Sequence, residues 1–189
     1  MKKITPASAN GTDHNLWPYI LYSMKLAAKP RRGGGNMFRH QMDTMAILLN
    51  YGYTQPVLLK AALVHDIVED AYVTGFYAFE EIAAIDDDGR EVMALVNEVT
   101  QRESDGIREP KGEFLLRIMI HGSEESKILK MADRISNITS LPCAEDIRFI
   151  SGYISETEKY IQPYALEVNA AMAEEIRERI RSMKKTLQL

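Results

Sequence analysis

From Leu58 to Val68 the chain is almost continuously apolar, and the end of that run carries His65 and Asp66, with Glu69 and Asp70 directly after it. Leu58, Leu59, Ala61, Ala62, Leu63 and Val64 leave little room for a wet face, so the segment reads as a largely buried helix. At helical spacing His65 stands one turn from Glu69, and Asp66 one turn from Asp70, which gives two adjacent stripes of ligand or base chemistry. Ionised carboxylates buried without a partner cost several kcal/mol or take up protons. Any fold for this chain must therefore bring compensating charge to this helix, and a bound cation would do so.

The remainder reads as helical too. Apolar residues recur at intervals of three and four, there are ten methionines, and no segment alternates convincingly as a strand. The expectation is an all-α bundle of about eight helices. The first spans about Asn15 to Lys29, with Leu16, Ile20, Met24 and Ala28 on one face and Pro30 as its stop. A second covers Met37 to Tyr51 and ends at Gly52, and a third begins near Pro56. Shorter helices are expected at Phe76 to Ala84 and Glu91 to Val99, with the turn Asp86-Asp87-Asp88-Gly89 between them. A charged loop, Gln101 to Pro110, leads to helices near Gly112 to Ile120 and Glu124 to Leu141. After a short helix beyond Glu145, Pro163 suits the first turn of a long last helix striped by Met172, Ile176, Ile180, Met183 and Leu187. That stripe reads as core packing that could extend into a homodimer contact.

With 189 residues the chain is sized for one domain, residues 1–13 reading as a flexible N-terminus. A net charge of −4 argues against bulk nucleic-acid binding. No apolar run reaches membrane-spanning length, and Met1-Lys2-Lys3 is not followed by the apolar stretch of a signal peptide. Cys143 is the single cysteine, so there is no intrachain disulfide, which fits a cytoplasmic protein.

Three distant residues complete a possible site. His40 lies on the second helix, Asp133 is another carboxylate set in an apolar helix, and Asn137 is one turn beyond it. Two imidazoles and two carboxylates from three helices make a mixed nitrogen and oxygen donor set, suited to Mn²⁺, Fe²⁺ or Zn²⁺ more than Ca²⁺. Other features have plainer readings. Gly33-Gly34-Gly35 lacks the Lys-Ser/Thr of a phosphate-binding loop and reads as a flexible linker. The Asp86 to Gly89 turn lacks calcium-loop spacing and reads as a cap for the following helix. His14 and His121 read as surface residues.

His40, then His65-Asp66, then Asp133 resembles the H…HD…D pattern of the HD metal-dependent phosphohydrolase superfamily. More specifically, residues 62–70 and 129–137 resemble the HDxxED and K-x-A-D-R-x-x-N segments of the RelA/SpoT-type (p)ppGpp hydrolase domain, and residues 91–100 are similar to that family's segment ending in V-T or L-T. The resemblance runs from about Leu16 to Ala165 and is to small, hydrolase-only members. It implies an HD-domain helical bundle around one Mn²⁺ held by His40, His65, Asp66 and Asp133. Glu69 and Asp70 match the pair that activates or orients the attacking water, Arg31 and Arg32 match a basic pair that contacts the nucleotide or its phosphates, and Asn137 and Ser140 match positions lining its pocket. The implied reaction removes the 3′-pyrophosphate of (p)ppGpp. Departures from the family pattern are Gln41 where proline usually follows the first histidine, Ala71 where threonine often stands, and the triple-glycine loop. Two other readings stay open on the residues alone: an HD phosphohydrolase acting on another nucleotide such as NADPH, and a nucleotide-binding module without turnover.

Overall fold

The computed structural model describes residues 15–69 and 78–188. Asp70, Ala71, His14 and the N-terminal stretch expected to be flexible lie outside the described residues. The α-helices among those described include α1 Trp17–Ser23, α2 Met37–Asn50, α3 Pro56–Val64, α4 Ala78–Ala83, α5 Gly89–Val99, α6 Lys111–Leu116, α7 Glu124–Ser140, α8 Ile147–Tyr160, α9 Gln162–Val168 and α10 Ala170–Leu187. The all-α expectation holds, with more and shorter helices than the sequence pattern gave.

Helix α3 is the axis of the bundle. Every residue from Leu58 to Val64 is buried, and α1, α2, α5 and α7 all pack on it. Each fully buried leucine or valine there contributes about 1.5–3 kcal/mol relative to exposure. Helix α7 is the second internal element, with Leu129, Met131 and Ala132 wholly buried and α2, α5 and α10 against it. Local signals set the ends. The Asn36 side chain accepts from the Arg39 N–H at 2.8 Å to start α2, and Gly52, at φ +83°, follows its last turn. Ser123 caps α7 by accepting from the Ser126 N–H.

Several boundaries differ from expectation. The first helix stops at Ser23 and tightens into a 3₁₀ turn, Met24–Leu26. Its inward face is Tyr19, Ser23 and Leu26, whereas Met24 is half exposed, because the Tyr19 hydroxyl reaches inward to Asp86 at 2.7 Å. The expected last helix is two helices, broken where the backbone of Asn169 turns extended and its side chain caps α10 through the Met172 N–H. Met172, Ile176, Ile180 and Met183 are buried within the chain's own core. The charged loop contains a two-strand hairpin, β1 Glu103–Ser104 against β2 Ile107–Arg108, turned at Asp105 (φ +53°) and Gly106 (φ +76°). Asp-Gly is the pair that such a turn requires, since both central residues take positive φ.

The triple-glycine segment is not a flexible linker. Pro30 and Asn36 form an antiparallel bridge, and Arg31 N–H donates to the Gly35 carbonyl at 3.2 Å, closing a compact turn. Nor is the acidic turn mainly a cap. Asp86 and Asp88 each accept from Lys60 Nζ at 2.7 Å, and Asp88, at the start of α5, makes no side-chain capping bond. Lys60 is 5% exposed in the middle of α3, and the two carboxylates neutralise it.

Candidate metal centre

Helices α2, α3 and α7 pack against one another, and their polar residues meet where they converge. His40 comes from the second turn of α2 and Asp133 from the middle of α7. His65 and Asp66 form a turn just past the end of α3, so the expected continuous helix through the motif is interrupted there. The His65 imidazole folds back, its Nδ1 2.9 Å from the Ala62 carbonyl. A carbonyl only accepts, so the neutral ring carries its proton on Nδ1 and leaves Nε2 bare. Ser136, on α7, holds His40 by the equivalent atom, with its Oγ 2.8 Å from Nδ1.

Both Nε2 atoms face the carboxylates. His40 Nε2 lies 3.1 Å from Asp133 Oδ1 and 3.3 Å from Asp66 Oδ2, and His65 Nε2 lies 3.4 Å from Asp66 Oδ1 and 3.8 Å from Asp133 Oδ1. The two rings stand edge to face, 5.1 Å apart. Burial pushes the His65 imidazole down, but Asp66 and Asp133 outweigh it and raise its pKa to about 9. Burial would raise both carboxylates; the imidazoles hold Asp66 below its ordinary range, and Lys130 followed by the imidazoles does so for Asp133.

The donor set fits a divalent transition-metal ion. One ligand atom each from His40, His65 and Asp133 lies within 4.8 Å of the others, near the spread that bonds of about 2.1 Å to one ion require. His65 Nε2 is buried and makes no hydrogen bond, so an unsatisfied ring nitrogen is left where the carboxylates converge. Each histidine is held through its other nitrogen, as metal-ligating imidazoles are.

This cluster forms one wall of a cleft of about 370 Å³. Of the residues singled out from the sequence, His40, Asp66, Glu69, Asp133, Arg31, Arg32, Asn137 and Ser140 all line it, with His65 immediately behind. Glu69 Oε1 accepts from the Gln101 N–H at 3.1 Å. Asn137 bridges the centre to the basic loop, accepting from Arg31 Nη2 and donating to Asp133 Oδ1. Arg32 stacks over the Phe149 ring at 5.0 Å. The Ser140 hydroxyl is spent on the Asn137 carbonyl, 2.9 Å away, and packs beside Gly33.

Sequence reasoning missed Lys29, Lys111, Lys130, Arg134 and Tyr153 in the same cleft. Lys130 and Arg134 had the signal already used for Asp133, a charge inside an apolar helix. Lys111 and Tyr153 had none. With Arg31 and Arg32, six cationic side chains and three carboxylates, Asp66, Glu69 and Asp133, line the cleft, and although Lys130 pairs with Asp133 and Arg134 with Glu156, the cationic excess suits an anion.

The fold and this centre define an all-helical domain with a cluster of two histidines and two carboxylates where three helices converge. In a solved structure described as a metazoan ortholog of SpoT that hydrolyzes ppGpp, the same fold recurs with a TM-score of 0.74 at 20% identity, covering 96% of this chain and 98% of that one. Over 103 residues the chain is also 36% identical to guanosine-3′,5′-bis(diphosphate) 3′-pyrophosphohydrolase MESH1 of Xenopus tropicalis. That match takes in 54% of each protein, so the chain spans about half the length of this relative. No protein-family model matches the chain.

Proposed function

We propose that this chain is a metal-dependent hydrolase that removes the 3′-pyrophosphate of (p)ppGpp, giving GDP or GTP and pyrophosphate. The observation that carries the reading is the joining of two features at one cleft: the buried His40, His65 and Asp133 with the half-buried Asp66 beside them, and six cationic side chains along the lining. The ppGpp-hydrolysing activities of the two similar proteins, one of them 36% identical over its matched half, support the substrate.

The donor chemistry suits Mn²⁺, Fe²⁺ or Zn²⁺, and the resemblance to (p)ppGpp hydrolase domains selects Mn²⁺, which the two imidazoles and two carboxylates would hold. An ion held there would supply Lewis acidity for phosphate and for the attacking water. Glu69, on the cleft wall with Oε1 fixed by the Gln101 N–H, accepts a proton from the attacking water through Oε2. Asp70 is assigned the partner role to Glu69. Water oxygen bonds to phosphorus, the bond from that phosphorus to the ribose 3′ oxygen breaks, and the alkoxide takes up a proton. Arg31 and Arg32 bind phosphate or base, and Asn137 keeps Arg31 in register with the centre. Ser140 shapes the loop beneath them. A cytoplasmic site of action belongs to the same proposal, supported by the lone cysteine.

The test is a steady-state assay of Mn²⁺-loaded protein against ppGpp and a nucleotide panel that includes NADPH. Pyrophosphate release from ppGpp is expected, and Glu69→Gln should lower kcat by about 10²–10⁴-fold while nucleotide still binds. Phosphate release from NADPH without turnover of ppGpp would overturn the substrate, and nucleotide binding with no turnover of any panel member would overturn the enzyme reading.

A further inference from the structure

The two oxygens of Asp133 face different partners. Oδ1 meets His40 Nε2 at 3.1 Å and accepts from Asn137 Nδ2, whereas Oδ2 accepts from Lys130 Nζ at 3.0 Å. Lys130 lies one turn earlier on α7 and is 6% exposed. Its ammonium sits 4.9 Å over the ring of Phe114, which is wholly buried and cannot turn away. An ammonium so enclosed depends on its carboxylate partner, because releasing Oδ2 would strand a buried charge.

We propose that Lys130 is a positioning residue that reserves Asp133 Oδ2, so that Asp133 meets a divalent ion through Oδ1 alone and leaves one more coordination place for water or substrate. The inference rests on the metal reading given above and assigns a role to a side chain outside the ligand set. It carries a cost in affinity, since a lysine cation beside the centre repels the ion that the centre attracts. Lys130 thus trades tightness of metal binding for an open position.

The sign of that trade is measurable. Lys130→Met keeps the stem packed on Phe114 and removes the charge. It should bind Mn²⁺ on the order of tenfold more tightly than wild type, from relief of repulsion across a few ångströms of wet protein. Water-proton relaxation of the bound Mn²⁺ should report about one fewer exchangeable water as Oδ2 joins the ion. Lys130→Arg, which retains the cation, should keep the wild-type affinity and hydration. If Lys130→Met binds Mn²⁺ equally or more weakly, or keeps its water count, the proposal is wrong, because a merely structural lysine would give that result. Should Lys130→Met fail to fold by circular dichroism, Lys130→Gln serves the same comparison with the same expected signs. These titrations use no nucleotide. A wild type that binds Mn²⁺ but spares ppGpp overturns the substrate and leaves Lys130's role standing, while a wild type that binds no divalent ion overturns both.

Discussion

His40 and His65, as proposed ligands, show how little of a ligand's fitness lies in its own identity. Each ring is oriented from behind, one by the Ser136 hydroxyl and one by the Ala62 carbonyl. Ser136→Ala therefore removes a buried partner without touching the ion, and should weaken Mn²⁺ binding by about 10–100-fold with little loss of fold, as read by calorimetric titration. Asp133→Ala removes a donor outright, and the loss in the same titration should exceed that of Ser136→Ala. The cluster that would hold the ion was legible in the sequence because a histidine or carboxylate inside an apolar run is costly unless something compensates it. Ser136 was not, since a serine on a buried helix face commonly bonds its own backbone, and only the packing of α2 on α7 shows where its hydroxyl goes.

At the scale of elements, the glycine turn before α2 connects the basic pair to the end of α7. Gly34 holds φ at +80°, and a Cβ there would stand 2.9 Å from that of Cys143. Gly52 has nearly the same dihedral, φ +83°, but open space around it. Gly52→Ala should cost about 1–2 kcal/mol from the dihedral alone, whereas Gly34→Ala should cost more and also raise KM for the nucleotide. Thermal melts of the two variants, with KM measured beside them, separate conformation from contact. Helix existence was well signalled by the apolar spacing of α2, α5 and α7. Interruptions were not: the turn at His65-Asp66 and the break at Asn169 sit inside otherwise periodic apolar patterns, and what decides them is side-chain to backbone bonding set by neighbours. Lys60 was overlooked for a related reason. One lysine in the run of α3 looks like a surface residue until Asp86 and Asp88 close on it.

For the molecule as a whole, that same cluster predicts a pH window for stability. Burial would raise Asp86, but Lys60 and the Tyr19 hydroxyl overcome it and hold the carboxyl below its usual range. Its stabilisation is therefore present above the ordinary carboxylate pKa and is lost as pH falls through the depressed one. For Lys60, burial lowers and the two aspartates raise, with the raise winning, so its contribution persists below the ordinary lysine pKa and fades only as pH rises through the higher one. Lys60→Met should cost about 1–3 kcal/mol at neutral pH, and urea melts should show that difference shrinking below about pH 4. The cationic cleft predicts a separate dependence: KM for ppGpp should rise with added salt, as attraction between exposed charges is screened beyond a Debye length of about 8–10 Å.

The contact between His40 and Ser136 joins positions 96 residues apart. An ion gripping α2, the end of α3 and α7 at once would act as a non-covalent cross-link whose grip exists only in the folded chain. Saturating Mn²⁺ at about 100 times its Kd should add about 2.7 kcal/mol to the unfolding free energy. Stripping the metal with a chelator should correspondingly lower Tm, and the occupied fraction would then count intact molecules. Any lesion that loosens the bundle, however far from the cleft, would first declare itself as a protein that lets go of its ion.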